Sequence, residues 1–451
     1  MRFVLPFVAF FLISFVSFSQ LENFDLSKYK LPEIKRHLMD FGFNSDGSTR
    51  NTFYIYENGI DTFKDRSKNF SWTSNLNYSI FSSSTQFQKT LNTNLYSNVD
   101  FTDSESNYSR DYIQLDYQNR FNFSYDWKYF INNKMWFINL VPSIYSSLSN
   151  SNSLLNSDDG KSYSYTNQSS VGVGFGKGRI EQVQDFRQAI LIFRELEKKG
   201  SLKRNPTEKE VVELATLISK LKNQRVFDSR KRKQADLTEI NSYLNKNELI
   251  TKTDILYFIG LEDMWVFGGL QTRESGNQIK LIFTPEFNYN ISGIQKEDPN
   301  YETGSWAVNT DFIFISKIPL SNQFQSNFEI GMYNKVSDHY KVSNESEPYK
   351  SFVTDLMGTY SLGFYPNTRT YLNITSIAGI GHSSFEKIFE NGYFNSWLSF
   401  SSNGYYYISE RLRIGYQIYF DKWMNYIFDE QRQNEKFSRF NYTLNFNYAI
   451  F

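Results

Sequence analysis

The chain has 451 residues, no cysteine, and 48 basic against 48 acidic side chains, so its formal net charge is zero. This balance argues against a nucleic-acid partner, because proteins that bind a phosphate backbone carry a surplus of Lys and Arg. The lack of cysteine excludes a disulfide framework, so packing and backbone hydrogen bonds must stabilise the fold.

The N-terminus has the parts of a secretory signal peptide. An apolar run over residues 3–16 follows a basic residue, and Ser17 and Ser19 occupy the small-residue positions of a cleavage site. A membrane anchor fits less well, because a spanning helix needs roughly 20 apolar residues. We therefore predict a signal peptide over residues 1–19 and a periplasmic leader over residues 20–34.

The next block alternates apolar and polar side chains with a period of two, which indicates β-strands with one apolar and one polar face. In the second of these strands, Leu76 and Tyr78 are interleaved with Asn75, Asn77 and Ser79. The apolar set of the first strand is His37, Met39, Phe41 and Phe43. We predict six strands here, over residues 35–46, 68–83, 88–103, 110–127, 135–150 and 162–176.

From about Arg179 to Gly269 the apolar period changes to 3.6, which predicts amphipathic helices. Thr207 and Glu210 have the spacing of a capping box at the start of the second helix. We expect the third helix to begin at Asp236 and the fourth at Thr253 or Asp254. The apolar face expected for the first helix is Ile180, Val183, Phe186, Ile190, Phe193 and Leu196.

The alternation returns after the helices and continues to the C-terminus. In the terminal stretch NYTLNFNYAIF, Leu444 and Phe446 are flanked by Thr443, Asn445 and Asn447. The predicted strands of this block cover residues 276–292, 304–317, 322–337, 349–365, 368–382, 392–408, 411–425 and 438–451.

Three features favour a membrane barrel over a soluble sandwich. The polar faces are rich in Asn, Ser and Thr rather than Lys and Glu; tight turns alternate with long polar loops; and the strand number is even. We predict an all-β transmembrane barrel of about 14 antiparallel strands with an inserted periplasmic α-helical domain. Residues 35–176 form strands 1–6, residues 177–274 the insert, and residues 275–451 strands 7–14.

These features resemble those of Gram-negative outer-membrane β-barrel proteins, and the Asn, Tyr, Phe and Lys bias is similar to that of Bacteroidota envelope proteins. The chain ends in an aromatic residue, Phe451, as such barrels often do. In this chain, however, Ile450 is in phase with Tyr448, whereas Phe451 is not. The resemblance implies an outer-membrane location with membrane lipid around the barrel, and it does not extend to the helical insert.

Charged side chains on the polar phase are the candidate functional residues, because charges inside a barrel either line a permeation path or pair across a filled interior. The predicted lumen-lining set is Asp116, Arg120, Lys280, Glu286, Asp311, Glu329, Asp355, Arg411 and Arg413. The leader and the insert are the available plugs. We expect an envelope protein partner, if there is one, to bind residues 179–269, with Arg230, Lys231, Arg232 and Lys233 as its contacts.

The first functional hypothesis is an outer-membrane channel or transporter for a small hydrophilic or amphiphilic solute, with the helical insert as gate or docking module. The alternative is a scaffold barrel that presents the insert to envelope machinery. A hydrolase is the third reading, using His382 with a neighbouring serine such as Ser383. No nucleophile elbow and no metal-loop spacing is present in the sequence, so we expect no enzyme, no cofactor and no metal.

Overall fold

The computed structural model describes residues 24–55, 62–106, 112–131, 135–155, 160–223, 229–294, 297–341, 347–386, 389–409, 412–427 and 435–448. The predicted signal peptide, Arg411 and Phe451 lie outside these residues.

Most of the chain forms one antiparallel sheet in which 14 long strands are hydrogen-bonded in chain order. The prediction of about 14 antiparallel strands is therefore confirmed. Among the described residues β1 and β15 are the two edges, so the sheet is open in this structure. The long strands are β1 (Ile34–Ile55), β2 (Thr62–Ser83), β3 (Phe87–Ser106), β4 (Tyr112–Phe130), β5 (Trp136–Leu155), β6 (Gly160–Gly178), β8 (Glu274–Ile294), β9 (Glu297–Pro319), β10 (Phe324–Lys341), β11 (Tyr349–Phe364), β12 (Thr370–Phe385), β13 (Phe389–Tyr407), β14 (Leu412–Ile427) and β15 (Glu435–Tyr448).

Several strands extend further into the loops than the sequence predicts. β1 reaches Ile55 rather than residue 46, and β9 begins at Glu297 rather than at residue 304. The extensions are mostly polar, apart from the last three residues of β1, and pairing them satisfies backbone groups that would otherwise depend on water.

The register defines two faces of the sheet, because paired residues lie on the same side. On the polar face, one row of paired residues crosses β2 to β6: Thr73, Asn98, Gln118, Ser149 and Ser164. On the apolar face, one row crosses β1 to β4: Phe41, Leu76, Leu95 and Phe121. The period-two pattern therefore assigned these side chains to the correct faces.

Between β6 and β8 the chain forms the two-residue strand β7 (Glu181–Gln182) and the helices α1 (Gln184–Lys198), α2 (Glu208–Asn223), α3 (Ser229–Lys246) and α4 (Ile255–Gly268). We call α1–α4 the helical unit. The capping box is present: Thr207 N donates to Glu210 Oε2 at 2.8 Å, and Glu210 N donates to Thr207 Oγ1 at 3.3 Å. Asp254 caps α4 by accepting from Tyr257 N at 3.0 Å.

Two helix starts differ from those predicted. Ile180 precedes α1, because the following two residues pair with β8 as strand β7. α3 begins at Ser229 rather than at Asp236. Lys and Arg are good helix formers, so the SRKRK segment continues the helix towards its N-terminus. Inside this helix, Asp236 forms an i,i+4 ion pair with Arg232 at 3.6 Å instead of capping the helix.

The helical unit has its own apolar core, to which the leader also contributes. Leu26, Tyr29 and Leu31 are buried there, and a short 3-10 helix, Leu26–Lys28, shapes the leader. Among the described residues, the helices are too short or too polar to cross a membrane. The core residues from α1 and α2 are Phe186, Ala189, Ile190, Leu191, Ile192, Phe193, Leu196, Val211, Leu214, Ala215, Ile218 and Leu221.

Candidate functional site

Arginine side chains join the segments that flank the helical unit to turns of the sheet. Arg179 donates to the carbonyl oxygens of Ser84 at 2.7 Å and Thr85 at 3.1 Å, in the turn between β2 and β3. Arg273 donates to the carbonyl oxygens of Ser321 at 2.7 Å and Phe324 at 2.8 Å, in the turn between β9 and β10. Both turns are therefore tied to the insert.

Helices α1 and α4 contact further turns. Arg187 of α1 is fully buried and donates to the carbonyl oxygens of Asn322 at 2.8 Å and Tyr365 at 3.4 Å. Burial lowers the pKa of Arg187 to about 9, and the nearby Arg273 acts in the same direction, so Arg187 remains a cation at neutral pH.

In α4, Asp263 pairs with Arg369 from the turn between β11 and β12. The Phe267 and Tyr407 ring centroids are 5.4 Å apart, at the turn between β13 and β14. With the arginine contacts, these place the insert against turns that range from β2 to β14.

The first strand is held by a buried carboxylate. Asp185 of α1 has no exposed side-chain surface, and its oxygens lie 2.7 Å from Arg36 Nη2 on β1 and 2.7 Å from Lys222 Nζ on α2. Ser219 Oγ donates to the same carboxylate at 2.5 Å, and Tyr29 of the leader hydrogen-bonds Ser219 at 3.1 Å. We call this set the Asp185 cluster.

Burial alone would raise the pKa of Asp185. The attraction of Lys222 and Arg36, with the hydrogen bonds from Lys222 and Ser219, outweighs that cost and holds the pKa below its ordinary value. The carboxylate therefore stays ionised and connects the first strand, α1, α2 and, through Ser219, the leader.

The polar face is filled with side chains near the insert. Phe137 and Asn139 of β5 are fully buried, and Gln278 of β8 and Gln325 of β10 are each 1% exposed. In steps of two along their strands, these residues share the face of Ser149 on β5, Glu286 on β8 and Glu329 on β10, which is the polar face. The end of the polar face next to the helical unit is therefore closed by side chains.

The predicted lumen-lining residues that are described all lie on the polar face, spread over β4, β8, β9, β10, β11 and β14. They do not form a single cluster. Asp311 and Asp355 are both register partners of Tyr333. The Arg120 guanidinium lies 5.3 Å from the Tyr96 ring centroid, and that of Arg413 lies 5.4 Å from the Tyr405 centroid.

Glu286 has the densest contacts of that set. Its carboxylate is 7% exposed and accepts from Asn288 at 2.7 Å, Asn309 at 3.0 Å and Lys335 Nζ at 2.9 Å. Lys335 was missed in the sequence analysis, although its phase on β10 matches that of Glu329. Of the other carboxylates, Glu329 accepts from Tyr333 at 3.4 Å and Asp116 from Gln114 at 2.9 Å.

Two polar cavities lie beyond the filled end of the polar face. The first, of about 640 Å³, is bounded by β3, β4, β5, β6, β8 and β9, and includes Asp116 in its lining. The second, of about 550 Å³, is bounded by β2 to β6 and is lined mainly by Asn and Ser. Apart from Asp116, the sequence analysis named none of their lining residues as a site.

The predicted partner-contact residues lie on α3, and two of them form ion pairs with other residues of the insert. Lys233 Nζ lies 2.6 Å from Glu262 of α4, and Arg232 pairs with Asp236. Lys231 lies on the same helix with its side chain exposed, and the side chain of Arg230 is outside the described part.

The hydrolase reading placed His382 beside Ser383 and Ser384. His382 and Ser383 are consecutive in β12, so their side chains point to opposite faces of the sheet, whereas Ser384 shares the face of His382. Across the described ranges, no three His, Cys, Asp or Glu side chains come together as metal ligands would.

Comparison with known proteins adds little. No family model matches the chain, and no curated protein matches it. A solved structure described as "Bacterial polysaccharide outer membrane secretin" aligns over 93% of this chain and 99% of that chain, with 8% identity and a TM-score of 0.25. A TM-score this low supports no inference about fold or function.

Proposed function

We propose that the protein is an outer-membrane β-barrel that serves as a channel or transporter for a small hydrophilic or amphiphilic solute. The helical unit is its gate at the periplasmic mouth. The observation that carries the proposal is the position of the insert, which lies across the turn end of a continuous polar face and contacts turns from β2 to β14.

Closure of the sheet is part of the proposal. With 14 long antiparallel strands, β1 and β15 run in opposite directions and can pair as antiparallel neighbours. In lipid each unpaired backbone group costs several kcal/mol, so edges inside a membrane are strongly disfavoured. The helical unit also contacts the first strand, through Arg36 on β1, and a strand two places from the last, through Tyr407 on β13.

The apolar face supports a lipid environment. Leu281 is 50% exposed and Phe283 is 54% exposed, on a strand in the middle of the sheet. Large apolar side chains also cover the same face of the neighbouring strands, Phe175 on β6 and Phe312 on β9. A contiguous apolar surface of this kind is unfavourable in water and favourable against acyl chains.

The scaffold alternative rests on a different observation. At the start of α4, Ile255 is 74% exposed, Leu256 is 52% exposed and Ile259 is 54% exposed. This end of the helix lies beside the end of α1 that is furthest from the turns, because Gly260 faces Glu195 while Gly268 faces Gln188. An apolar tip that points away from the barrel suits an envelope partner.

Conductance of the purified protein in planar bilayers separates the two functions. Gly178 and Gln278 are register partners, so residues 179–277 can be replaced by a two-residue Asn-Gly hairpin turn. We expect the full chain to be closed most of the time and the shortened chain to show a steady open level. A milder variant, Arg187→Ala with Arg273→Ala, should increase the frequency of opening. A shortened barrel that folds and stays silent would refute the channel and favour the scaffold.

The side of the membrane is a separate prediction. A cysteine introduced at Lys199 or Lys231 should not react with a membrane-impermeant maleimide on intact cells, because the insert lies at the periplasmic ends of the strands. Both should react once the outer membrane is permeabilised. Glu347→Cys, in the loop between β10 and β11 at the opposite end of the strands from the insert, is the control that labels on intact cells. Labelling at Lys199 on intact cells would place the insert outside and reverse the orientation.

A further inference from the structure

Asn77, Asn94 and Asn122 line the second cavity, and with the adjacent Asn75 they form a group of amide side chains that we call the asparagine cluster. Asn94 Nδ2 donates to Asn75 Oδ1 at 2.5 Å and to Asn77 Oδ1 at 2.7 Å. Asn122 Nδ2 donates to Asn94 Oδ1 at 3.3 Å. All of them lie on the polar face of β2, β3 and β4, so the cluster spans three adjacent strands.

The lining of the second cavity carries no charge. Beside Asn77, Asn94 and Asn122 it includes Ser124, Ser143, Tyr145 and Gln168, and no Lys, Arg, Asp or Glu of the described part of the chain lines it. In the first cavity the charged residues of the described lining are Asp100 and Asp116, with no cationic side chain among them. The remaining polar-face lining there is amide and hydroxyl, from Asn98, Gln118, Ser149, Ser151, Ser162, Ser164, Ser292 and Tyr301.

The two cavities are neighbours on the polar face, and the pair Tyr96–Arg120 lies between them. Asn94 and Asn98 lie on the same face of β3, and Asn122 and Gln118 lie on the same face of β4, with Asn94 paired to Asn122 and Asn98 to Gln118. Both volumes, 640 and 550 Å³, fall within the range of small-molecule pockets, about 300–1,000 Å³. A solute longer than either cavity could occupy both only by passing the Tyr96–Arg120 pair.

We propose that this region binds an uncharged, hydroxyl-rich solute, of the chemical class of short oligosaccharides. Asn and Gln each offer a carbonyl acceptor and an NH₂ donor, and a hydroxyl group is both donor and acceptor, so an amide lining satisfies either role. Asp100 and Asp116 accept hydrogen bonds from hydroxyl groups at the other end. Tyr145 and Tyr301 supply apolar ring faces of the kind that pack against sugar rings.

An inorganic anion is disfavoured inside either cavity, because the described lining residues include two carboxylates and no cation. A polyamine is the competing ligand. It would pair with the carboxylates of the first cavity and make few hydrogen bonds to the uncharged amides of the asparagine cluster. The inference deepens the proposed function by naming its solute class.

The test is binding to the detergent-solubilised full chain, measured by saturation-transfer NMR with maltotriose and, separately, with spermidine. We expect maltotriose to bind and Asn94→Ala with Asn122→Ala to weaken it about tenfold, the loss of one or two hydrogen bonds. Asn119→Ala is the matched control, because Asn119 lies on the opposite face of the same strand as Asn122. Native-gel migration before and after boiling checks that each variant is folded.

Three outcomes would overturn the proposal. Binding of spermidine but not maltotriose, abolished by Asp100→Asn with Asp116→Asn, would make this a cation site and overturn the proposal. Absence of binding by either probe, or binding of maltotriose that is equal in the asparagine variant and the control, would also overturn it. Because the assay needs no open pore, its failure is distinct from a failure of the conductance experiment.

Discussion

Replacing Asp185 by asparagine is expected to lower the free energy of unfolding of the helical unit by about 3 kcal/mol. Removing one partner from a buried ion pair typically costs about 3–5 kcal/mol, because the other charge is left buried without compensation. Asp185 is fully buried, whereas the side chains of Arg36 and Lys222 are each 22% exposed. Because water reaches Arg36 and Lys222, leaving these cations without Asp185 costs less than leaving a fully buried charge unpaired. We therefore expect a loss at the lower end of the range of about 3–5 kcal/mol.

The measurement is urea unfolding followed by the helical circular dichroism signal, since the helices should unfold before a barrel in detergent does. Glu248→Gln is the matched control. Glu248 pairs with Lys203 at 3.2 Å, but its side chain is 80% exposed, and exposed pairs contribute about 0–1 kcal/mol. A loss as small for Asp185→Asn as for Glu248→Gln would contradict the assigned role of the Asp185 cluster.

The pH dependence follows from the lowered pKa of Asp185. A carboxylate whose pKa is lower in the folded state stabilises the fold fully above its unfolded pKa, about 3.9, and loses that contribution as the pH falls through its folded pKa. The helical unit should therefore stay docked at neutral pH and loosen only below about pH 4. The Asp185→Asn variant should lack this acid-dependent loss of stability.

Sequence periodicity predicted the sheet well because each strand repeats one local rule. In β8, Leu281 and Phe283 are out of phase with Lys280 and Glu286. Because successive side chains of a strand point to opposite faces, the two sets lie on opposite sides of the sheet. Local rules also placed the capping box at Thr207. They failed at α3, where the acidic residue at position 236 looked like a cap while the preceding basic residues favoured helix.

Sequence patterns could not predict the contacts between the insert and the sheet. Asp185 lies 149 residues from Arg36 and 37 residues from Lys222 along the chain. In the sequence it is an ordinary acidic residue in the first turn of a helix, which the helix dipole alone would explain. Arg187 and Arg273 donate to turn carbonyls, and a backbone acceptor leaves no pattern in the side chains. The asparagine cluster was visible only as a general bias towards Asn on the polar phase.

A charged side chain introduced on the apolar face of the sheet should destabilise the barrel more than one introduced on the polar face. Phe283 lies at the middle of β8 on the apolar face, with Val173 and Thr310 as register partners. Arginine on a lipid-facing position near the membrane centre costs about 2–4 kcal/mol, so Phe283→Arg should destabilise the barrel by that amount. Ile418→Arg, on the apolar face of β14, should behave similarly.

Leu444 and Asn445 form a matched pair for this test, because they are neighbours on β15 with opposite faces. Leu444 pairs with Tyr416 on the apolar face, and Asn445 pairs with Gly415 on the polar face. Leu444→Arg should therefore cost more than Asn445→Arg, whose guanidinium can remain in the hydrated interior opposite a glycine. Folding stability in phospholipid vesicles, measured by urea titration and heat-modified gel migration, gives the comparison. Equal costs at Leu444 and Asn445 would mean that both faces meet the same solvent, and the apolar face would then not be a lipid face.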